Sequence, residues 1–244
     1  MATLNCAVAD GTLDAFTSIE NCTPFSMGVQ VGSGEASYSF VGNQDLAKHL
    51  TVTTKDGVLS ITAAGLPAGK SVDPIAVIVS APSSTSLSSI VASSQGGVSV
   101  LPGFASSESL TITSSGQGAV TGLFEVTNEL TIDSSGQGAI DVGGQIGSLA
   151  LTSSGQGAID VFGVQGPAKV DISGQGETFI SGNDDLSITG SSSGMGSLKY
   201  EGGSCTVPNS FFATNCVESS GQSPPTPTLP TASGMSVYSD SYSC

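Results

Sequence analysis

The chain has 244 residues and is strongly acidic, with 20 Asp and Glu residues, 5 lysines, no arginine and a net charge of −15. Because cations are needed to displace the counterions on phosphate, this charge predicts no nucleic-acid partner. The single histidine leaves little capacity for imidazole catalysis or a histidine metal site, and the composition predicts no cofactor.

Residues 1–24 are predicted to cap the N-terminal end of the fold. They contain Cys6 and Cys22, together with the N-glycosylation sequon Asn21-Cys-Thr23. No signal peptide is predicted, because the first residues lack a basic and an apolar region. The longest apolar run, Ile75–Val79, is far shorter than the ~20 residues of a membrane helix, so no direct membrane insertion is expected.

A Ser-Ser-Gly-Gln-Gly motif recurs with a period of 19 to 20 residues. The first glycines of its copies are Gly116, Gly136, Gly155, Gly174 and Gly194, and Ser93–Gly97 is an earlier relative. Apolar and polar residues alternate on both sides of each copy, which is the pattern of a half-buried strand. We interpret Gly-Gln-Gly as a corner between two strands, where the glycines are expected to supply positive φ.

Units of this length predict an all-β fold, a single-stranded parallel β-helix or β-solenoid with coils of 19–20 residues over residues 25–202. Equivalent residues would stack about 4.8 Å apart, giving about nine coils and a rod of about 43 Å. The expected buried columns are Leu110, Leu130, Leu149 and Leu186, and then Ile112, Ile132, Leu151, Ile172 and Ile188. The expected amide ladder on the corner consists of Gln117, Gln137, Gln156 and Gln175.

The end of the chain divides into a predicted cap, residues 203–218, and a tail, residues 219–244. Cys205 and Cys216 lie in this cap, and we expect Cys6–Cys22 and Cys205–Cys216 disulfides, each closing a short loop. Reduced thiols or a metal site are disfavoured because no Cys-x-x-Cys or clustered histidine is present. Disulfides predict an oxidising compartment. The tail is rich in Ser, Pro and Thr and is typical of an extended linker or O-glycosylated stalk. Cys244 is predicted to be unpaired within the chain, with an intermolecular thiol and a truncation of the chain as the two alternatives.

Residues 25–202 resemble the bacterial autotransporter adhesin head (GIN) domain family. The resemblance is carried by the repeated Gly-x-Gly corners and by the segments Phe25–Val31, Glu35–Val41, His49–Thr53, Lys55–Ile61, Leu186–Ile188 and Gly194–Gly202. It implies a right-handed parallel β-helix exported to the cell surface or periphery, with no established catalytic residues. The chain departs from the family pattern in using Gly-Gln-Gly corners, in its cysteines and in its tail.

A few polar groups could carry chemistry. Asp141 and Asp160 would point outward on adjacent coils, where like charges repel, and they are the candidates for a bound cation, with two solvated acids as the alternative. Asp184-Asp185 is the one adjacent acid pair, in a segment that also has turn composition. Gly190–Gly194 matches a nucleophile elbow, but a Ser- and Gly-rich repeat produces that match readily, and His49 lies many coils away.

These observations predict a non-enzymatic, secreted or surface-displayed β-solenoid. Its strand faces would contact matrix, glycan or protein surfaces, or like subunits. Two alternatives stay open at this point: a subunit of an extracellular filament or assembly, and a carbohydrate-active enzyme. The enzyme would require clustered carboxylates in a groove.

Overall fold

The computed structural model describes residues 11–67, 70–72, 75–209, 215–231, 235–237, 239 and 241–243. Strands make up 56% of the chain, and they wind into a β-solenoid of about six turns. The elements are β1 (Gly11–Thr12), β2 (Ser18–Asn21), β3 (Ser26–Gly32), β4 (Ser37–Gly42), α1 (Gln44–Ala47), β5 (Leu50–Lys55), β6 (Val58–Ala64), β7 (Lys70–Val72), β8 (Ile75–Pro82), β9 (Ser89–Ala92), β10 (Val98–Val100), β11 (Ser107–Ser114), β12 (Val120–Ser134), β13 (Ile140–Ser153), β14 (Ile159–Val164), β15 (Pro167–Ile172), β16 (Thr178–Gly182), β17 (Ser187–Ser192), β18 (Leu198–Glu201), β19 (Ser204–Cys205), β20 (Val217–Glu218), β21 (Met235–Val237) and β22 (Ser241–Tyr242).

Two stacks of parallel strands form the walls of the solenoid. Sheet A contains β6, β2, β9, β11, the second halves of β12 and β13, then β15, β17 and β19. Sheet B contains β8, β3, β10, the first halves of β12 and β13, then β14, β16, β18 and β20. Each Gly-Gln-Gly corner joins a strand of sheet A to the next strand of sheet B, as the repeat predicts.

The buried columns of sheet A confirm most of the predicted register. Leu110, Leu130 and Leu149 pair in sequence, as do Ile112, Ile132 and Leu151. The predicted continuation of both columns is wrong. The first column continues to Ala168 and Ile188, and the second continues to Val170 and Gly190. Ile172 instead stacks between Ser153 and Ser192. Leu186 lies just before the paired strand β17. Register follows the distance to the corner glycine: Ile188 lies six residues before Gly194, as Leu130 lies six before Gly136.

The first turn lies inside the stack and not at its end. Strand β2 pairs with β6 on one side and β9 on the other, and β3 lies between β8 and β10. The chain therefore forms its first turn with β2 and β3 and its second turn with β6 and β8, which lie on one side of the first. It then crosses the first turn, and β9 and β10 continue the coil on the other side. The predicted boundary at residue 25 falls within this first turn.

The N-terminal end is closed by antiparallel strands that do not wind coils. Strand β4 pairs with β8 and with β1, and β5 pairs with β6. These segments lengthen the chain between one parallel strand and the next, so the even period expected from the repeat does not hold in this part of the chain.

A disulfide closes the C-terminal end, as predicted. Cys205 ends β19 and bonds to Cys216, with their Cα atoms 5.4 Å apart. Between them Val207 is buried and its amide donates to the Sγ of Cys216. Cys22 is buried and is itself in a disulfide. Cys6 and Cys244 lie outside the described residues, so the Cys6–Cys22 pairing stays a prediction.

Replacing Cys205 and Cys216 together by serine is expected to lower the free energy of unfolding by about 3 kcal/mol, the loop-entropy value for a short closed loop. The bridge spans a sequence separation of 11 and holds the edge strand β19 to the segment leading into β20. Urea denaturation followed by far-UV circular dichroism measures the change, with Ser204→Ala, an exposed position next to Cys205, as the control. An unchanged unfolding midpoint in the double variant would contradict this role.

Residues 219–231 of the Ser/Pro/Thr-rich segment form neither strand nor helix, and they contact the solenoid. We call residues 219–231 the strap. Its Thr228 carbonyl accepts a hydrogen bond from Ser99 Oγ at 2.7 Å, and Pro225 is buried. Beyond the strap, β21 pairs with β7 and β22 pairs with β6. The C-terminal region thus returns along the solenoid to its N-terminal end.

Candidate binding surface

The stacked corners form an open trough of about 450 Å³ on one edge of the solenoid. Three parallel rows line it: Ser115, Ser135 and Ser154; Gly116, Gly136 and Gly155; Gln117, Gln137 and Gln156. The serine and glutamine side chains of these rows are exposed. The trough therefore presents hydroxyl and amide groups repeated at one strand spacing, about 4.8 Å.

The backbone holds these rows in place. The amide of Gln137 donates to the carbonyl of Gly116 at 2.8 Å, and that of Gln156 donates to Gly136 at 2.9 Å. Among the described residues no hydrogen bond joins the side chains of two corner glutamines, so the predicted amide ladder is wrong. The amide groups are therefore free of each other and available to a ligand.

The corner glycines are required for a reason other than the predicted one. None of the five first glycines has positive φ. A Cβ built on Gly136 would instead lie well inside 3.0 Å of the Gly116 carbonyl, and Gly155 and Gly174 meet the backbone below them in the same way. Glycine is needed because successive turns approach backbone to backbone at this edge.

The earliest corner is offset from the others. Gly116 stacks on Ser94, whereas Gly96 lies beneath Gly118. Val98 pairs with Val120, so this turn takes 22 residues. The extra length is used in the loop that contains Pro102 and Gly103.

Asp141 and Asp160 lie next to each other on the outer side of sheet B, as predicted. Burial raises the pKa of the Asp141 carboxyl, and its Oδ1 has no hydrogen-bond partner. Burial also raises the pKa of Asp160, and the negative charges of Asp141 and Glu177 add to this, while Lys199 lowers it. Lys199 is itself paired with Glu177 at 2.8 Å. No group of three or more metal-ligating side chains is found among the described residues, so the cation site stays a prediction.

Neutralising either acid is expected to stabilise the protein at pH 7. A raised pKa means that the folded chain binds a proton more readily than the unfolded chain, so stability decreases as pH rises from the ordinary value of 3.8 through the raised one. Asp160→Asn removes this penalty, and we expect a gain of up to about 1 kcal/mol, since both groups are partly exposed. Thermal unfolding between pH 3.5 and 7.5 measures it, with exposed Asp133→Asn as control. A gain that does not shrink towards acidic pH would contradict the assignment.

The catalytic candidates do not come together. His49 directly precedes β5, which flanks strand β6 of sheet A, and the segment Gly190–Gly194 begins in β17, near the opposite end of that sheet. Asp184 and Asp185 are exposed, and Asn183 Oδ1 accepts from the Asp185 amide at 3.0 Å, which confirms a turn. Within the described ranges, neither a paired serine and histidine nor a carboxylate cluster is formed by these candidates.

Asn21 is buried in the folded chain, and its glycosylation stays a prediction. Its side chain is 0% exposed, and its Nδ2 donates to the carbonyls of Phe25, at 2.8 Å, and Gly97, at 3.2 Å. Its Oδ1 accepts from both the amide and the hydroxyl of Thr23. In the folded chain the sequon residues therefore shape the first corner, where the repeat motif is absent.

The sequence profile of the family described as "Putative auto-transporter adhesin, head GIN domain" matches residues 15–204. The chain belongs to this family. For this GIN-domain protein, family membership supports an adhesin-like role at the cell surface. Within the described ranges, no helix has the length and hydropathy needed to cross a bilayer.

Three solved structures share this GIN-domain fold. A putative adhesin from Bacteroides fragilis has a TM-score of 0.60 and 20% identity, and the match covers 86% of this chain and 94% of that one. A putative adhesin from Parabacteroides merdae gives 0.52 and 15%, with the same coverage of 86% and 94%. A putative lipid binding protein from Parabacteroides distasonis gives 0.52 and 14%, again with 86% and 94%. At these identities the likeness concerns the fold. No protein of curated function shows significant similarity to the chain.

Proposed function

We propose that this chain is a non-enzymatic, secreted or surface-displayed solenoid whose corner trough binds uncharged glycan chains. The observation that carries the proposal is the trough itself, with its exposed serine and glutamine rows at a regular spacing. Hydroxyl and amide groups both donate and accept hydrogen bonds, which suits a polyhydroxylated ligand. An extended polysaccharide repeats its own hydroxyl groups along its length, so several turns can contact it at once.

The charge of the chain narrows the class of glycan. A net charge of −15 repels polyanionic matrix polymers such as sulfated glycans. The trough rows contain serine, glycine and glutamine, with no charged side chain. Both features favour a neutral polysaccharide.

The two alternative functions have less support. An enzyme acting on carbohydrate needs a general acid and base within reach of the same bond, and the trough supplies neither. A filament built by stacking solenoid ends needs open strand edges. Antiparallel β4 and β5 flank one end, and the Cys205–Cys216 loop closes the other.

Binding to a panel of immobilised neutral polysaccharides tests the proposal. We expect the triple variant Gln117→Ala, Gln137→Ala, Gln156→Ala to bind at least about tenfold more weakly, a loss of about 1.4 kcal/mol. The matched control is Thr113→Ala with Thr152→Ala, which trims neighbouring positions on the outer face of sheet A. The proposal is overturned if the unmodified chain binds no neutral polysaccharide, or if the triple variant and the control bind equally well.

A further inference from the structure

The strap runs along the outer face of sheet B for most of the length of the solenoid. It starts beside β20, where the Ser219 amide donates to the Tyr200 carbonyl at 2.9 Å, and it reaches β10 where Thr228 accepts from Ser99. From β20 to β10 there are six strand spacings, or about 29 Å. The ten residue-to-residue steps from Glu218 to Thr228 cover about 31 Å in a polyproline II conformation. The strap is therefore nearly fully extended.

The face beneath the strap is shaped to receive it. The outward column of sheet B runs through Gly28, Ser99, Thr121, Asp141, Asp160 and Phe179. At one end, a Cβ on Gly28 would lie 2.5 Å from Pro230 Cδ and 2.9 Å from Leu229 Cδ2. At the other end, Phe179 is 0% exposed although it shares the outward column with Asp160.

An apolar patch contributes to this fit. The rings of Phe162 and Phe179 lie 5.3 Å apart, and both side chains are buried but stand outside the main hydrophobic core. Pro225, within the strap, is also buried. Packing of proline rings and aliphatic groups, with few hydrogen bonds, is how grooves recognise extended proline-rich chains.

The strap contains an exposed hinge near its start. Residues 220–224 are exposed, and Gly221 has φ +88° with no atom within 4 Å of a built Cβ. Rotation at this glycine moves the strap away together with β21 and β22, which leave β7 and β6, while the parallel strands of both sheets stay paired. The groove and its occupant are thus two separable parts of one chain.

We propose that the outer face of sheet B is a groove for an extended proline-rich chain, and that the strap of a second copy fills it by exchange. The contacts of the strap are the same whichever copy supplies it, so only connectivity distinguishes the closed monomer from the exchanged pair. The short connection gives the chain's own strap a high effective concentration, which favours the monomer in dilute solution. Dense display of the protein on a surface favours exchange. This inference is independent of the glycan proposal, because it uses a different face of the solenoid.

A complementation experiment with full-length chains tests the exchange. The first chain carries Gly28→Val, which blocks the groove but leaves the strap intact. The second carries Leu229→Asp and Pro230→Asp, which disable the strap but leave the groove intact. Neither chain can close on itself, and each alone is expected to be a monomer. Mixed at high concentration, they are expected to form a complex of twice the 24.0 kDa chain mass, measured by light scattering after size exclusion.

The control replaces Gly28→Val with Gly34→Val, since Gly34 has no atom within 4 Å of a built Cβ. That chain keeps its own strap bound, so its mixture with the second chain is expected to remain monomeric. Should Gly28→Val fail to fold, Ser99→Lys blocks the groove from the next strand. A monomeric complementing mixture overturns the proposal, as does equal association in the control mixture.

Discussion

The variant Gly136→Ala is expected to lose about 3–4 kcal/mol of unfolding free energy, which is large for the addition of one methyl group. The built Cβ overlaps the Gly116 carbonyl and the Ser115 carbonyl carbon, which are backbone atoms of the turn below. No rotamer can relieve the overlap, so neighbouring turns must separate and the hydrogen bond from the Gln137 amide to Gly116 must lengthen. Equilibrium urea denaturation measures the loss.

The control for this prediction is Gly34→Ala. Gly34 also lies outside the positive-φ region, but its built Cβ meets nothing within 4 Å. Alanine there is expected to be neutral or slightly stabilising, because it reduces the freedom of the unfolded chain. If both variants lose the same stability, the close approach of successive turns is not the reason for the corner glycines.

The central turns could be predicted from the sequence because local pattern and global stacking agree there. In the turns of β11, β12 and β13, the distance between the buried leucine or isoleucine and the corner glycine is constant, so both landmarks give one register. At β15 and β17 the two landmarks give different registers. The expected column through Ile172 and Ile188 matched side-chain type and did not keep the distance to the corner glycine constant. The corner is the reliable landmark because backbone overlap there admits only glycine, whereas an inward position accepts Leu, Ala or Ile.

The features that the sequence did not predict depend on contacts between distant segments. Nothing in β2 itself indicates that β6 and β9 will lie on its two sides. The strap has the composition of a free stalk, and its packing depends on a groove whose residues, from Gly28 to Phe179, come from many different turns. The trough could be predicted only in part. The repeat identifies its residues as a corner, but the exposure of its glutamine side chains follows from the backbone hydrogen bonds between successive turns.

Asn21→Ala is expected to be the most damaging single side-chain truncation near the first corner, with a loss of about 4 kcal/mol. Asn21 is 0% exposed and satisfies four groups: the carbonyls of Phe25 and Gly97, and the amide and hydroxyl of Thr23. Each hydrogen bond contributes about 1 kcal/mol, and buried partners left unpaired cost more. The Gly97 bond also links the first corner to the next turn, at the point where β10 stacks on β3.

Asn128→Ala is the matched control, because Asn128 is an exposed asparagine in β12 and its replacement is expected to change stability by less than about 0.5 kcal/mol. Urea denaturation compares the two variants, and expression in a glycosylating host adds a second readout. If Asn21 shapes the first corner, the folded protein carries no glycan at this position and Asn21→Ala is severely destabilised. A natively folded, glycosylated protein whose Asn21→Ala variant is as stable as Asn128→Ala would show that the sequon is a modification site and that other residues hold the first turn in place.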